Sequence, residues 1–218
     1  MKIIDLTHTI QPDMPVYPGT EQPTFADANS LDGHGFIEKK ITLYSHTGTH
    51  MDGPAHILES GKTLDSFPVD HFMGRAYMIS LESYQKTHEQ REIDKTYILD
   101  YEDQLKDVDY VIFNTGWGKH WGSEEFYSAY PILSEESAIW LTEKYNLKGI
   151  GTDSISIDHE DSTYFPIHKI FFRKGLVVIE NLANLDMLKK QPKFQLFCLP
   201  LKTKDADGAP IRAIAVAE

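Results

Sequence analysis

Apolar residues along this chain gather in short runs and loose alternations, not in long helical stripes. Residues 3–10 alternate loosely and predict a strand, closed by the segment 11–19, where Pro12, Pro15 and Pro18 stiffen the chain. Residues 20–35 are polar, contain glycine and read as irregular. Residues 36–44 alternate through Ile37, Lys39, Ile41 and Leu43 and predict a second strand. A turn at 58–63 and a loop or single turn at 65–71 precede an apolar, β-prone stretch at 74–81. Residues 83–107 are charge-rich and allow a short helix at 96–104. The clearest core strand is 109–116, a β-branched and aromatic run stopped by Gly116. Ser134 can cap a helix with Glu135 and Glu136 in its first turn; it carries Ile139, Trp140, Leu141 and Tyr145 inward and ends near Asn146. A strand and turn at 148–153, a helical turn at 168–172, and strands at 176–180, 194–201 and 209–216 complete the chain. Strands and helices intermixed without repeats or a linker predict one α/β domain over residues 1–218.

One stretch breaks this pattern with chemistry. Between His46 and His56 stand three histidines and an aspartate, His46, His50, Asp52 and His56, spaced by four, two and four. Imidazole and carboxylate together are the usual donors for zinc-, manganese- or iron-type ions. Gly48, Gly53 and Pro54 argue against a helix. A straight strand sets His46 about 13 Å from His50, too far for easy sharing of one ion. A bend at Gly48 relieves this, so the stretch reads as a strand end entering a tight loop that carries ligands.

Further donors are needed to enclose an ion. Glu180 closes the apolar run 176–179, where a carboxylate is costly unless paired or metal-bound, and His168 precedes it by twelve residues. His159 is a rival, but it sits in the acidic run 158–161, which reads as a solvated turn. His8, His34, His71, His88 and His120 lack comparable company. Trp117 and Trp121, in a loop after the core strand, could wall a pocket or equally plug the core edge or an oligomer contact.

Composition narrows the partners. A net charge of −12 argues against nucleic acid or an anionic membrane. No apolar run approaches the ~18 residues of a membrane span, and an aspartate at position 5 is unlike a signal peptide. Cys198 is the only cysteine and lies among apolar neighbours, which predicts an inert thiol and no disulfide framework. These features together lead to a cytoplasmic expectation.

The run from His46 to His56 resembles the HxGTHxDxPxH signature of the metal-dependent cyclase-type hydrolases, which include bacterial kynurenine formamidase (arylformamidase) and isatin hydrolase. The resemblance extends to Asp5-Leu6-Thr7, to Pro15–Gly19, to Gly151-Thr152-Asp153 with Ser156 and Asp158, and to Pro210-Ile211-Arg212-Ala213. It implies an α/β domain with a central mixed β-sheet or small barrel flanked by helices, in a homodimer or higher oligomer. It implies zinc or manganese, one or two ions per subunit, held by His46, His50, Asp52, His168 and Glu180. Asp52 would bridge two ions, and His56 would be the general acid/base. The activity it implies is hydrolysis of N-formylkynurenine to kynurenine and formate by a metal-bound hydroxide, with Tyr17, and Trp117 or Trp121, lining the substrate pocket. Tyr17 stands where kynurenine formamidases commonly carry a larger aromatic. The alternatives are opening of a cyclic amide, as by isatin hydrolase, a lactone hydrolase or cyclase, and a non-catalytic metal-binding protein.

Overall fold

The apolar runs pair side by side into one large sheet. The computed structural model describes residues 1–82, 84 and 91–217. In chain order its elements are β1 (Lys2–Asp5), β2 (Thr24–Asn29), α1 (Leu31–His34), β3 (Glu38–Thr42), β4 (His50–Asp52), β5 (Met73–Ser80), β6 (Glu92–Ile93), α2 (Lys95–Leu99) and β7 (Tyr110–Asn114). There follow β8 (Ile132–Leu133), α3 (Glu135–Lys144), β9 (Gly149–Thr152), α4 (Pro166–Arg173), β10 (Val177–Glu180), β11 (Lys193–Phe197), β12 (Gly208–Pro210) and β13 (Ile214–Ala217).

Nine strands form a mixed sheet in the order β1-β13-β11-β5-β7-β9-β10-β4-β12. β5, β7, β9 and β10 run parallel at its centre, and antiparallel strands flank them on both sides. The order is open-ended, so of the two architectures expected the mixed sheet is the one found. Its central strands are buried on both faces, and alternate residues serve two cores. Tyr110, Ile112, Val177 and Ile179 join one apolar cluster. Val111, Phe113 and Val178 join the other, together with Ala138 and Leu141 of α3 and Phe171 and Phe172 of α4. Each such Val, Leu, Ile or Phe side chain, fully buried, contributes roughly 1.5–3 kcal/mol.

The helices begin where their sequences allow. Ser134 caps α3 by accepting from the Ser137 amide at 3.2 Å, and Pro166 opens α4 at a position that needs no amide donor. α3 ends at Lys144, and its buried residues are Ser137, Ala138 and Leu141. Ile139, expected inside, is 42% exposed. No described helix is long and apolar enough to cross a membrane.

Two expectations fail in informative ways. Residues 20–35 are not irregular: β2 pairs antiparallel with β3, joined through α1, in a hairpin whose strand residues are almost all exposed. β3 lies within the alternating 36–44 run, but β2, with no buried face, has no alternation imposed on its sequence. Residues 209–216 are not one strand but two, β12 at one edge of the sheet and β13 beside β1 near the other. Part of the 83–107 region lies outside the described residues, and its helix runs over Lys95–Leu99.

Candidate metal centre and active site

The 46–56 stretch holds the expected strand end running into a turn, β4 into Pro54–His56, but a further turn carrying His46 precedes the strand. Gly48 takes φ +67°, a left-handed value that glycine adopts freely, and this turn feeds β4. Within β4 the pleat separates the side chains. Met51 enters the apolar core of one face, while His50 and Asp52 turn to the other. β10 lies antiparallel beside it in a register that sets Glu180 across from His50 and Val178 across from Asp52. Cross-strand pairing thus brings a donor from residue 180 onto the face of donors 50 and 52.

α4 supplies the last donor from above. His168 Nε2 lies 3.4 Å from Asp52 Oδ2 and 3.3 Å from Glu180 Oε1. Its Nδ1 donates to Asp158 Oδ2 at 2.7 Å. Asp158 also accepts the amides of Ile167 and His168, so one buried carboxylate fixes both the helix start and the ring. His50 Nδ1 donates to the Gly48 carbonyl at 2.8 Å, leaving Nε2 3.1 Å from Asp52 Oδ1 and 3.6 Å from Glu180 Oε2. His46, in the preceding turn, sets Nδ1 2.6 Å from Asp52 Oδ1. Among the described residues three sets of ligand atoms each gather within 4.8 Å: those of His46, His50 and Asp52, those of Asp52, His168 and Glu180, and, nearer the surface, those of His46, His56 and Asp207.

Above them opens a cavity of about 240 Å³. Tyr17 lines it, as do Tyr44, Phe165 and His56. The ring of His56 stacks at a tilt on that of His46, with centroids 3.9 Å apart. Trp117 and Trp121 do not reach this cavity; they pack around Phe126, Tyr130, Ile132 and Ile155, and Trp121 stacks on His8. Of the readings of the tryptophans, walling this cavity is not the one found; they pack on the edge of the core. His159 is also elsewhere, paired with Arg91 and Glu160.

Three participants carried no separate signal in the sequence. Asp207 accepts His46 Nε2 at 2.9 Å and lies 3.8 Å from His56 Nδ1. Asn181 holds φ +58°, and its Nδ2 donates at 2.9 Å to the same Gly48 carbonyl that fixes His50. Asp158 stood within the resembling region but without a role. An asparagine just past Glu180 was the one legible hint, since asparagine tolerates left-handed backbone.

The electrostatics call for a cation. Burial opposes charge on His46, yet the carboxylates of Asp52 and Asp207 outweigh it and lift its pKa to about 10. Burial likewise works against charge on His50 and His168, and their carboxylate neighbours raise both. Burial alone would raise Asp52, but the surrounding imidazoles hold it well below the ordinary carboxylate range. His56 differs: burial, only partly offset by Asp52, pushes it down to about 4, so it stands neutral at pH 7. Two buried carboxylates face three imidazoles, and no Lys or Arg is among the described residues lining the cavity. That donor set fits a divalent metal ion, which takes carboxylate and imidazole ligands and whose charge would replace the protons that the imidazoles otherwise hold against the carboxylates.

Comparison with known proteins agrees with this chemistry. The sequence pattern of the Cyclase family, described as "Putative cyclase", matches residues 4–159. Kynurenine formamidase of Bacillus thuringiensis (strain Al Hakam) is 29% identical over 212 residues, covering 97% of this chain and 95% of that protein. Kynurenine formamidase of Salinibacter ruber is 29% identical over 217 residues, covering 98% and 97%. Among solved structures, isatin hydrolase A from Labrenzia aggregata, bound to benzyl benzoate, aligns with a TM-score of 0.88 at 27% identity, covering 100% of this chain and 94% of that one. A protein described as a predicted metal-dependent hydrolase from Bacillus stearothermophilus aligns with a TM-score of 0.76 at 30% identity, covering 98% and 97%.

Proposed function

The chain belongs to the Cyclase family, and from that footing we propose that it is a metal-dependent amide hydrolase whose substrate is an N-formyl arylamine, N-formylkynurenine, cleaved to kynurenine and formate. The observation that carries the reading is the pairing of buried Asp52 and Glu180 with three imidazoles at the floor of an otherwise largely apolar cavity. We read residues 1–218 as one hydrolase domain, since strands from both ends of the chain share its sheet.

His46, His50, Asp52, His168 and Glu180 would hold the metal. When bound, a divalent ion supplies Lewis acidity, polarising a carbonyl and making water acidic enough to ionise near neutral pH. The protein's own groups do the rest. Asp158 and the Gly48 carbonyl fix the His168 and His50 rings, each with its Nδ1 proton engaged and Nε2 free. His56, neutral at pH 7, accepts a proton from the attacking water and returns it to the departing amine nitrogen. Tyr17, Tyr44 and Phe165 offer aromatic walls for the aryl ring and keep bulk water from the carbonyl. No nucleophilic side chain is needed, and Cys198, the one thiol, is buried in the core away from the cavity.

The ion is proposed to be zinc or manganese. A count of two per subunit is supported by Asp52, whose Oδ1 faces His46 and His50 while Oδ2 faces His168. A homodimer is supported by the β2–β3 hairpin, which exposes Phe25, Leu31, Phe36, Ile37, Ile41 and Tyr44; a lone two-stranded hairpin is marginal in water. Light scattering on the purified chain tests this. A cytoplasmic location is proposed, supported by the unpaired, buried Cys198 thiol.

One observation favours a second reading, hydrolysis of a neutral cyclic amide of the isatin type. Among the described residues no Lys or Arg lines the cavity to receive an amino-acid carboxylate, which favours a neutral substrate. Chelation followed by add-back of zinc or manganese, with both substrates assayed on one preparation, tests the function. Activity abolished by chelation and restored by metal is expected, with N-formylkynurenine the faster substrate. Full activity after chelation would overturn the metal reading, and faster turnover of isatin would overturn the choice of substrate.

A further inference from the structure

The three imidazoles of the centre do not stand the same way round. His50 and His168 each donate from Nδ1, to the Gly48 carbonyl and to Asp158, and turn Nε2 toward Asp52 and Glu180. His46 is reversed. Its Nδ1 lies against Asp52 Oδ1 at 2.6 Å, within the ligand cluster, and its Nε2 points outward to Asp207 Oδ2 at 2.9 Å. Both partners are carboxylates, which only accept, so in the metal-free chain each His46 nitrogen directs a proton to one of them; an ion at the inner cluster would take the place of the Nδ1 proton, while the Nε2 proton stays in the bond with Asp207.

We propose that Asp207 is a positioning residue, which fixes His46 as the Nε2–H tautomer and so presents Nδ1 to the metal. The inference rests on the metal reading given above. Asp207 is itself held in place. Its carbonyl accepts the Gly53 amide at 2.8 Å, and Ser45 Oγ donates at 3.3 Å to the oxygen that faces His46. The next residue, Gly208, has no side chain, and β12 lies so close to the His46 ring that a Cβ there would fall 2.5 Å from Cε1. Asp207 therefore does for His46 what Asp158 does for His168. The difference is exposure: the Asp207 side chain is 47% exposed and that of Asp158 2%. Water competes for the outer carboxylate, so its loss should cost less than the loss of Asp158. The same oxygen lies 3.8 Å from His56 Nδ1, which ties the ring that carries the proton to the ring that holds the ion.

The test is zinc affinity, measured on the full chain by competition with a chromogenic chelator, which needs no turnover. Asp207→Ala is expected to weaken zinc binding about 10- to 100-fold, the usual effect of removing a partner that orients a ligand. Asp207→Asn keeps an oxygen able to accept Nε2–H and is expected to recover most of that loss. Asp103→Ala, which removes an exposed carboxylate paired only with Lys106 and away from the centre, should bind as wild type does. In the zinc-loaded wild type, long-range ¹H–¹⁵N spectra should show His46 protonated at Nε2 and metallated at Nδ1, opposite to His50 and His168; this readout requires no variant. Wild-type affinity in Asp207→Ala, or His46 metallated at Nε2, would overturn the inference alone. A wild-type chain that binds no zinc would overturn the metal reading and this inference with it.

Discussion

Replacing Gly208 with alanine puts one methyl group against the candidate ligand His46. The added Cβ would stand 2.5 Å from Cε1, 2.8 Å from Nε2 and 3.0 Å from Nδ1 of that ring. Relaxed carbon contacts lie at about 3.5 Å or more, so the ring or the strand must yield by about 1 Å. The ring is pinned by bonds of 2.6 Å and 2.9 Å to Asp52 and Asp207, and a shift of that size carries at least one of them past hydrogen-bonding length. Overpacking of this kind costs roughly 1–3 kcal/mol, and a misplacement of about 1 Å in a reacting constellation can cost ~100-fold in rate. If the displaced ring binds zinc ~100-fold more weakly, the stabilisation that a fixed excess of zinc confers on wild type shrinks by up to about 2.7 kcal/mol. Thermal unfolding with and without zinc measures that difference directly. Gly151→Ala is the control, because its Cβ would meet Ile112 and Leu182 at 2.8 and 2.9 Å in the core, away from the donors. Both variants should lose stability, but only Gly208→Ala should lose the zinc-dependent part. If Gly208→Ala keeps both its zinc-dependent stabilisation and its turnover, His46 is not a ligand and the reasoning fails.

Three further outcomes are expected. His56→Ala should bind the metal as wild type does while kcat falls about 10²- to 10⁴-fold, the usual worth of a general acid/base; steady-state kinetics on metal-loaded protein checks it. Metal affinity should rise with pH. Without metal the folded-state pKa of His46 is raised to about 10, so at neutral pH the ring is protonated and must lose its proton to become a ligand. Affinity is therefore weakened as pH falls and gains with pH up to about 10. Calorimetry in buffers of different ionisation enthalpy should detect at least one proton released per ion at pH 7, and an affinity flat with pH would contradict it. Finally, burial pushes the Cys198 thiol up to about 12, leaving only about 1 in 10⁴ as thiolate at pH 8. Ellman's reagent should find no thiol in the native protein and one per chain in denaturant.

How much of this was legible in the sequence follows from how local each interaction is. The donors between His46 and His56 stood out because four ligand-type residues are packed between glycines and a proline, where no helix or ordinary core strand would place them. Glu180 was legible for a different reason, a carboxylate closing an apolar strand. Asp207 was not. It stands in Lys202-Thr203-Lys204-Asp205-Ala206-Asp207-Gly208, a run that reads as a solvated turn, and its role depends on β12 pairing with β4 across some 150 residues of chain. The split of 209–216 into β12 and β13 escaped for the same reason: the residues share one apolar composition, but their partners, β4 for one and β1 and β11 for the other, are set by the sheet as a whole. Of the hairpin, β3 was legible in the alternating 36–44 run, while β2, exposed along its length, left no alternation to read.

The centre is nonetheless held by an ordinary hydrophobic constraint. β4 is three residues long, too short to fix its own register by hydrogen bonds alone. Its middle residue, Met51, is fully buried in the core on the far face of the sheet, with Ile179 of β10 and Ala209 of β12 directly beside it. A slip of one residue would push Met51 among the carboxylates and turn His50 and Asp52 into that apolar core. Burying an unpaired carboxylate there costs far more than the strand could recover elsewhere. The apolar side of β4 thus selects the one register in which Glu180 stands across from His50. The polar side inherits its geometry from a methionine that touches none of the chemistry.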